Sequence, residues 1–320
     1  MADIQLKSKR KMPRIPKILL VILAGLALGA LLSVLLGRST LGAKLRGDAP
    51  DCPWARVLAQ ASEQAAFHEI QRGLEPLVSV KQRDDKLAIE LVQSPGRAFW
   101  IGRGEAHYWG GKQLLTFLFA EHTWKARMNP GQTVRAGDVV FDCGAHVGVF
   151  THMSLERGAS KVVAIEPDPL NQDCLRRNLA PEIATGKVVL VPKGVWSSAQ
   201  TLVLSESTLN SGNNSFVMGG GGQKIEIPVT TIDTLVSELG LPRVDYIKID
   251  IEGSEREALK GARETVRKYR PRMMIDTYHR PDDLQVLPAV IREARADYTA
   301  TCGPCEFQGD RLVPHTTFFH

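Results

Sequence analysis

Beyond residue 17 the sequence carries no net charge. Of its 40 basic and 35 acidic side chains, six and one fall in residues 1–17 (Lys7, Lys9, Arg10, Lys11, Arg14 and Lys17 against Asp3), so the rest balance at 34 each. A folded part without a basic surplus has no nucleic-acid footprint, and no nucleic-acid partner is expected. A cysteine framework is missing too. Cys52, Cys143, Cys174, Cys302 and Cys305 are odd in number and irregular in spacing. The Cys-x-x-Cys in "TCGPC" lies between two predicted strands, not at a strand-to-helix junction. It reads as a Gly-Pro hairpin turn flanked by thiols, with a disulfide or half a metal site as alternatives. Internal repeats and low-complexity tracts are also absent.

The longest gap in charge is itself informative. Ile18 to Gly37, "ILLVILAGLALGALLSVLLG", has no charged residue and only Ser33 polar. Twenty residues at helical rise cover roughly 30 Å, the hydrocarbon thickness. A secretory signal core is shorter, about 7–15 residues, and is followed by a small-residue cleavage site. "GRSTLGAKL" offers none, so an uncleaved anchor is favoured over a cleaved signal or a buried helix. The six basic residues before the run outnumber Arg38, Lys44 and Arg46 after it, which predicts a single-pass membrane protein with a cytoplasmic N-terminus. The expected organisation is a basic tail at 1–17, an anchor at 18–37, a small, polar stalk at 38–53, an α/β extension on the substrate side at 54–136, and a larger domain at 137–320.

Within the extension, apolar residues from Trp54 to Arg72 recur at helical intervals with Gly73 as a stop. "KLAIELV" and "RAFWIG" read as strands, and "GKQLLTFLFAEHTW" as a helix. After residue 137, "DVVFD", "KVVAIEP", "KVVLVP", "VDYIKID" and "RMMIDTYH" alternate with helical segments; a hairpin is inserted after the third strand, and late strands close the edge. Short Val/Ile runs between amphipathic helices mean βαβ units, hence a doubly wound, Rossmann-like α/β sheet, mostly parallel with an antiparallel closing strand. Ligands in such sheets bind beyond the carboxyl ends of the strands, near the switch in strand order.

The residues at those strand ends are unusual. Asp142-x-Gly144-x-x-x-Gly148 follows the first strand, with His146 between the glycines, and glycine permits tight turns and close approach. The dinucleotide fingerprint G-x-G-x-x-G is mis-spaced here and one glycine short, so no pyrophosphate cradle is expected. Glu166 ends the second strand, 18 residues past Gly148, where an acid accepts from ribose hydroxyls. In the fourth strand Lys248, Asp250 and Glu252 share one face of what should be an apolar strand, a costly arrangement unless they pair or serve a ligand. Glu255 favours the first turn of the next helix.

"DCGAHVGVFT" (142–151), "AIEPDP" (164–169) and "IKIDIEGSEREALKGA" (247–262) together resemble the FkbM family of S-adenosyl-L-methionine-dependent methyltransferases across residues 137–320. Two departures are His146, where that family usually has Asn, and Asp276, where Glu is commoner before His279. The resemblance implies S-adenosyl-L-methionine as cofactor, bound by Asp142, Gly144, His146, Gly148, Glu166, Asp250 and Glu252. It implies methyl transfer to a hydroxyl of a sugar, glycolipid or other metabolite, with alignment and desolvation as the enzyme's main contribution. His279 and Asp250 are the candidates to remove the hydroxyl proton. A divalent metal on Asp250 and a neighbouring acid is an alternative that is not favoured, and no metal is assigned. His107 and His122 have no supporting motif. Competing functions are an anchored, non-catalytic binding protein and a nicotinamide-dependent oxidoreductase, the latter disfavoured by the missing glycine. A domain held outside the cytoplasm would be separated from a methyl donor made in the cytosol.

Overall fold

The computed structural model describes residues 25–26, 28–29, 32, 39–83, 86–91, 98–102, 111–207, 211–219 and 221–320. The run 18–37 predicted to span a membrane lies almost wholly outside them, as does His107. Among the described residues no helix is long and apolar enough to cross a membrane.

A seven-stranded sheet forms the centre. Its strands are β4 (Val139–Cys143), β5 (Lys161–Ile165), β6 (Val188–Val191), β10 (Tyr246–Ile249), β11 (Arg272–Asp276), β12 (Ala300–Cys302) and β15 (Thr316–Phe319). They lie side by side in the order β6-β5-β4-β10-β11-β15-β12. All neighbours run parallel except β15, which is antiparallel to both β11 and β12, so the closing strand predicted from sequence is inserted one place in from the edge. Order reverses between β4 and β10, and that is the switch point. The central strands are buried on both faces because Val, Ile, Phe and Met fill them: Phe141, Val163, Ile247, Ile249, Met273 and Ile275 are at most 1% exposed. The hairpin predicted after the third strand is present as β8 (Gln200–Ser207) paired with β9 (Gly221–Thr230), with the short β7 (Gly194–Val195) beside β9.

The extension is α2 (Trp54–Leu74), a three-stranded antiparallel sheet of β1 (Val78–Arg83), β2 (Lys86–Leu91) and β3 (Ala98–Gly102), then α3 (Gly111–Met128). It shares a core with the larger domain: Phe99, Ile101, Leu115 and Phe119 pack with Val147, Val149 and Met153. Asn178 secures the join, its Nδ2 donating to the carbonyls of Val147 at 2.7 Å and Trp100 at 3.0 Å.

Within the predicted stalk, residues 39–53 are folded rather than extended. They contain α1 (Thr40–Arg46), whose N-terminus is capped by Ser39 Oγ accepting from Gly42 N, and which ends on Gly47 at φ 87°. Ala43, Ala49 and Cys52 are fully buried against Val57, Cys305 and Leu312. Small side chains look like linker residues in sequence, yet they are what lets this segment pack closely. Cys305, on β13 (Cys305–Gln308) of a hairpin with β14 (Arg311–Pro314), is bonded to Cys52 across 253 residues; Cys302 is free. The Cys-x-x-Cys is therefore neither a local redox pair nor half a metal site. Cys305→Ser should lower stability by about 2–5 kcal/mol under oxidising conditions, measured from the denaturant midpoint. Reductant should then have no further effect on the variant.

Candidate active site

Loops at the carboxyl ends of β4, β5, β10 and β11 converge on a cavity of about 270 Å³ at the switch point. Its floor is built by a buried lysine. Parallel register places Lys248 on β10 beside Asp142 on β4, so their side chains share a face. Lys248 Nζ lies 3.5 Å from Asp142 Oδ1 and 3.8 Å from Asp250 Oδ2, and donates to the Gly144 carbonyl at 2.7 Å. Burial opposes the ammonium charge, but Asp142 and Asp250 beside it hold the Lys248 pKa above its ordinary value. Asp142 is fully buried, accepts from Thr151 Oγ1 at 2.7 Å, and is pushed up by burial against the pull of Lys248 and Thr151. It supports the loop from beneath and does not line the cavity.

The glycines serve packing more directly than ligand approach. Gly144 has φ +79°, and a Cβ there would meet the Asp250 carbonyl at 2.0 Å; Gly148 has φ +91°, and a Cβ would meet Leu179 Cδ1 at 2.9 Å. Gly144 thus lets the β4 and β10 loops touch. Gly148 caps α4 (Val149–Glu156) outside the cavity lining. Between them His146 adopts φ 51°, a left-handed conformation in which Asn, Asp and His are enriched, which explains how His can stand where the family usually has Asn. Its backbone N–H donates to Glu166 Oε2 at 2.7 Å. Glu166 Oε1 accepts from Asp168 N, and burial pushes this carboxyl up. His146 and Glu166 both line the cavity.

At the opposite wall, Asp250 and Glu252 leave β10. Glu252 also has positive φ, 52°, and is held by Asn213 Nδ2 to its Oε1 at 3.3 Å and Ser215 Oγ to its carbonyl at 2.7 Å. His279, after β11, reaches back to this loop. Its Nδ1 is 2.9 Å from Glu255 Oε1, and its Nε2 faces Glu252 at 3.5 Å and Asp250 at 3.8 Å. Although burial disfavours the charge, Glu252 and Glu255 hold the His279 pKa well above the usual imidazole value. Glu255, expected only to favour a helix start, also accepts from Ile251 N and Gly253 N and so fixes the loop.

The fourth wall comes from residues without a sequence motif. α3 contributes Leu114, Phe117, Leu118, Glu121 and His122, and the closing-strand hairpin contributes His315, on which Tyr278 stacks at 4.3 Å. Burial lowers the pKa of both His122 and His315, with Lys125 nearby adding to it, so both imidazoles are neutral near pH 7. Beneath them the fully buried Lys125 Nζ binds Asp276 at 2.9 and 3.1 Å and Glu121 at 3.0 Å. Asp276 is therefore an ion-pair partner that pins α3 to β11, outside the cavity lining. The amphipathic pattern of α3 was readable, but which of its residues faced a ligand depended on docking against β11.

A parallel sheet of this order with a closing antiparallel strand, and acids at consecutive strand tips, is the arrangement expected of the methyltransferase that the sequence motifs resemble. Residues 142–299 match the methyltransferase FkbM domain, and the chain belongs with these S-adenosylmethionine-dependent enzymes. It is 25% identical over 242 residues to methyltransferase sdnD of Sordaria araneosa, covering 66% of this chain and 90% of that one. It is 28% identical over 178 residues to the 31-O-demethyl-FK506 methyltransferase FkbM of Streptomyces tacrolimicus, covering 46% and 68%. With the hexuronic acid methyltransferase AglP of Haloferax volcanii the identity is 31% over 124 residues, covering 39% and 49%.

Asp276→Asn would leave the Lys125 ammonium with one carboxylate fewer and should cost about 3–5 kcal/mol at neutral pH. Lys125 foremost holds the Asp276 pKa below the ordinary carboxylate value, against the cost of burial. Its contribution is thus full above the unfolded value of about 3.9 and is lost as pH falls through the folded one. The difference between wild-type and variant denaturation midpoints should begin to shrink below about pH 4 and go on shrinking as pH falls further.

Proposed function

We propose that the chain is an O-methyltransferase that binds S-adenosyl-L-methionine in this cavity and methylates a hydroxyl of a sugar, glycolipid or other small metabolite, anchored in a membrane by residues 18–37. The supporting observation is one cavity with two chemically different ends. Carboxylates and left-handed turns at strand tips face an apolar helix carrying two neutral histidines.

The residues present fit the cofactor. Glu166, already oriented by two backbone N–H groups, would accept from ribose hydroxyls; Ile165, Val195 and Phe216 offer apolar surface for a purine; Asp250 and Glu252 face the cationic end. When bound, the cofactor would supply an activated methyl open to in-line attack by an oxygen lone pair, with sulfur as the leaving group that keeps the electron pair of the broken S–C bond. The chain's own part is to align and to exclude water. Leu114, Phe117 and Leu118 would seat the acceptor carbon skeleton, and Asp250 with His279 would attend the departing hydroxyl proton. Methyl transfer to oxygen is supported by the name of the Streptomyces relative, and a sugar acid by that of the Haloferax one.

Anchoring is supported by the apolar run itself and by Leu26, Leu28 and Leu32, which are exposed on helical backbone. A Cys52–Cys305 bond suits an oxidising compartment, which agrees with a cytoplasmic N-terminus and a catalytic domain on the far side. A donor supply in that compartment is then required.

Titration of the full chain with S-adenosylhomocysteine should release heat at one site, and Glu166→Ala should weaken binding about 10-fold or more, as expected for lost charge-assisted hydrogen bonds. Asp250→Asn should slow transfer of a radiolabelled methyl by roughly 10²–10⁴. No heat from the wild type would sink the cofactor assignment. Protease added to intact vesicles and thiol labelling before reduction test the orientation: free Cys52 and Cys305 thiols in cells would overturn it.

A further inference from the structure

The geometry points to a divalent-cation site at Asp250, Glu252 and His279, one that presents open positions to acceptor oxygens. It rests on the proposed methyltransferase function and assigns these residues a more specific part in it. One oxygen from each carboxylate and one nitrogen of His279 lie within 4.8 Å of one another, close enough for a single ion to be shared. The acids alone would prove little. The second observation is His279, whose side chain is 2% exposed and whose Nε2 is buried, without a hydrogen-bond partner, and aimed at those oxygens.

The surroundings fit ligation. His279 Nδ1 is held by Glu255 Oε1 at 2.9 Å, and Glu255 is fixed by the N–H groups of Ile251 and Gly253. A carboxylate orienting the far nitrogen of an imidazole is the usual support behind a metal-binding histidine. The other oxygen of Asp250 is 3.8 Å from Lys248, and Glu252 accepts from Asn213, so both acids are positioned by neighbours while Asp250 remains 25% exposed. The contrast with the second such triad is informative. Glu121, Asp276 and His315 surround Lys125 Nζ, which already supplies their cation. No lysine or arginine stands among Asp250 Oδ1, Glu252 Oε1 and His279 Nε2 in the described residues, so His279 itself balances these acids, and an ion bound there takes the place of the proton on its Nε2.

Two carboxylates and one imidazole suit an ion of intermediate hardness such as Mn²⁺, and three protein ligands leave further positions on the cavity side. Those positions favour an acceptor with two oxygens on adjacent carbons, a vicinal diol or a hydroxy acid, bound as a chelate. Coordination lowers the hydroxyl pKa, so Asp250 and His279 assist the proton's departure to a neighbouring base or water as ligands, not by taking it themselves.

The test uses Mn²⁺ alone with the full chain in detergent, following loss of the free-ion signal by electron paramagnetic resonance. Wild type should take up one Mn²⁺ per chain. Glu255→Gln should weaken uptake about 10–100-fold, the usual effect of removing a carboxylate behind a metal-binding histidine. The double variant Glu252→Gln/His279→Asn should abolish it, and Glu264→Gln, at an exposed acid elsewhere, should leave it unchanged. Thermal melts confirm that each variant is folded. Wild-type uptake no greater than that of the double variant overturns the site. Titration with S-adenosylhomocysteine in chelator separates the two ideas: heat there with no Mn²⁺ uptake leaves the methyltransferase assignment standing and removes the cation.

Discussion

One buried ammonium ties the functional half of this protein together. Lys248 sits on a central strand where an apolar residue would otherwise pack, and it is stable there because four partners from two strands and the loops after them converge on it: Asp142, the Cys143 and Gly144 carbonyls and Asp250. A buried charge with one partner removed is strongly destabilising, so the partners are mutually dependent. The loop after β4 cannot move without uncovering Lys248, and Asp250 cannot swing into the cavity without leaving it. Gly144 enforces the same contact sterically, since only a residue without a Cβ can lie against the Asp250 carbonyl. The turn that would orient the cofactor and the carboxylate that would face its charge are thus parts of one unit.

Much of that unit was readable because it is local. Val and Ile runs set the strands, and Asp142, Glu166 and Asp250 stood out as acids at strand tips. Their individual roles were less legible. Asp142 is a foundation beneath the loop, and Gly144 makes room for backbone; both facts depend on how β4 and β10 pair, which no single strand reveals. His146 looked like a departure in need of explanation, and its positive φ supplies one.

What could not be read is what long-range packing decides. His122 and Glu121 lie on a helix whose periodicity shows a buried stripe but not its partner, and His315 reaches the cavity only because β15 enters the sheet between β11 and β12. Cys305 finds Cys52 rather than its near neighbour Cys302. The packing of residues 39–53 has the same origin: small residues read as a stalk in sequence, but here they allow close contact with a distant hairpin.

That last contact bears on how far the enzyme can travel. Residues 39–53 are folded onto the body and bonded to it at Cys52, so a membrane segment ending at residue 37 would leave a leash of only about two residues, roughly 7 Å when extended. So short a leash would keep the catalytic body from roaming above the bilayer. The mouth of the cavity would stay at nearly constant height over the lipid, where substrates embedded in or tethered to the membrane are met by lateral diffusion in two dimensions.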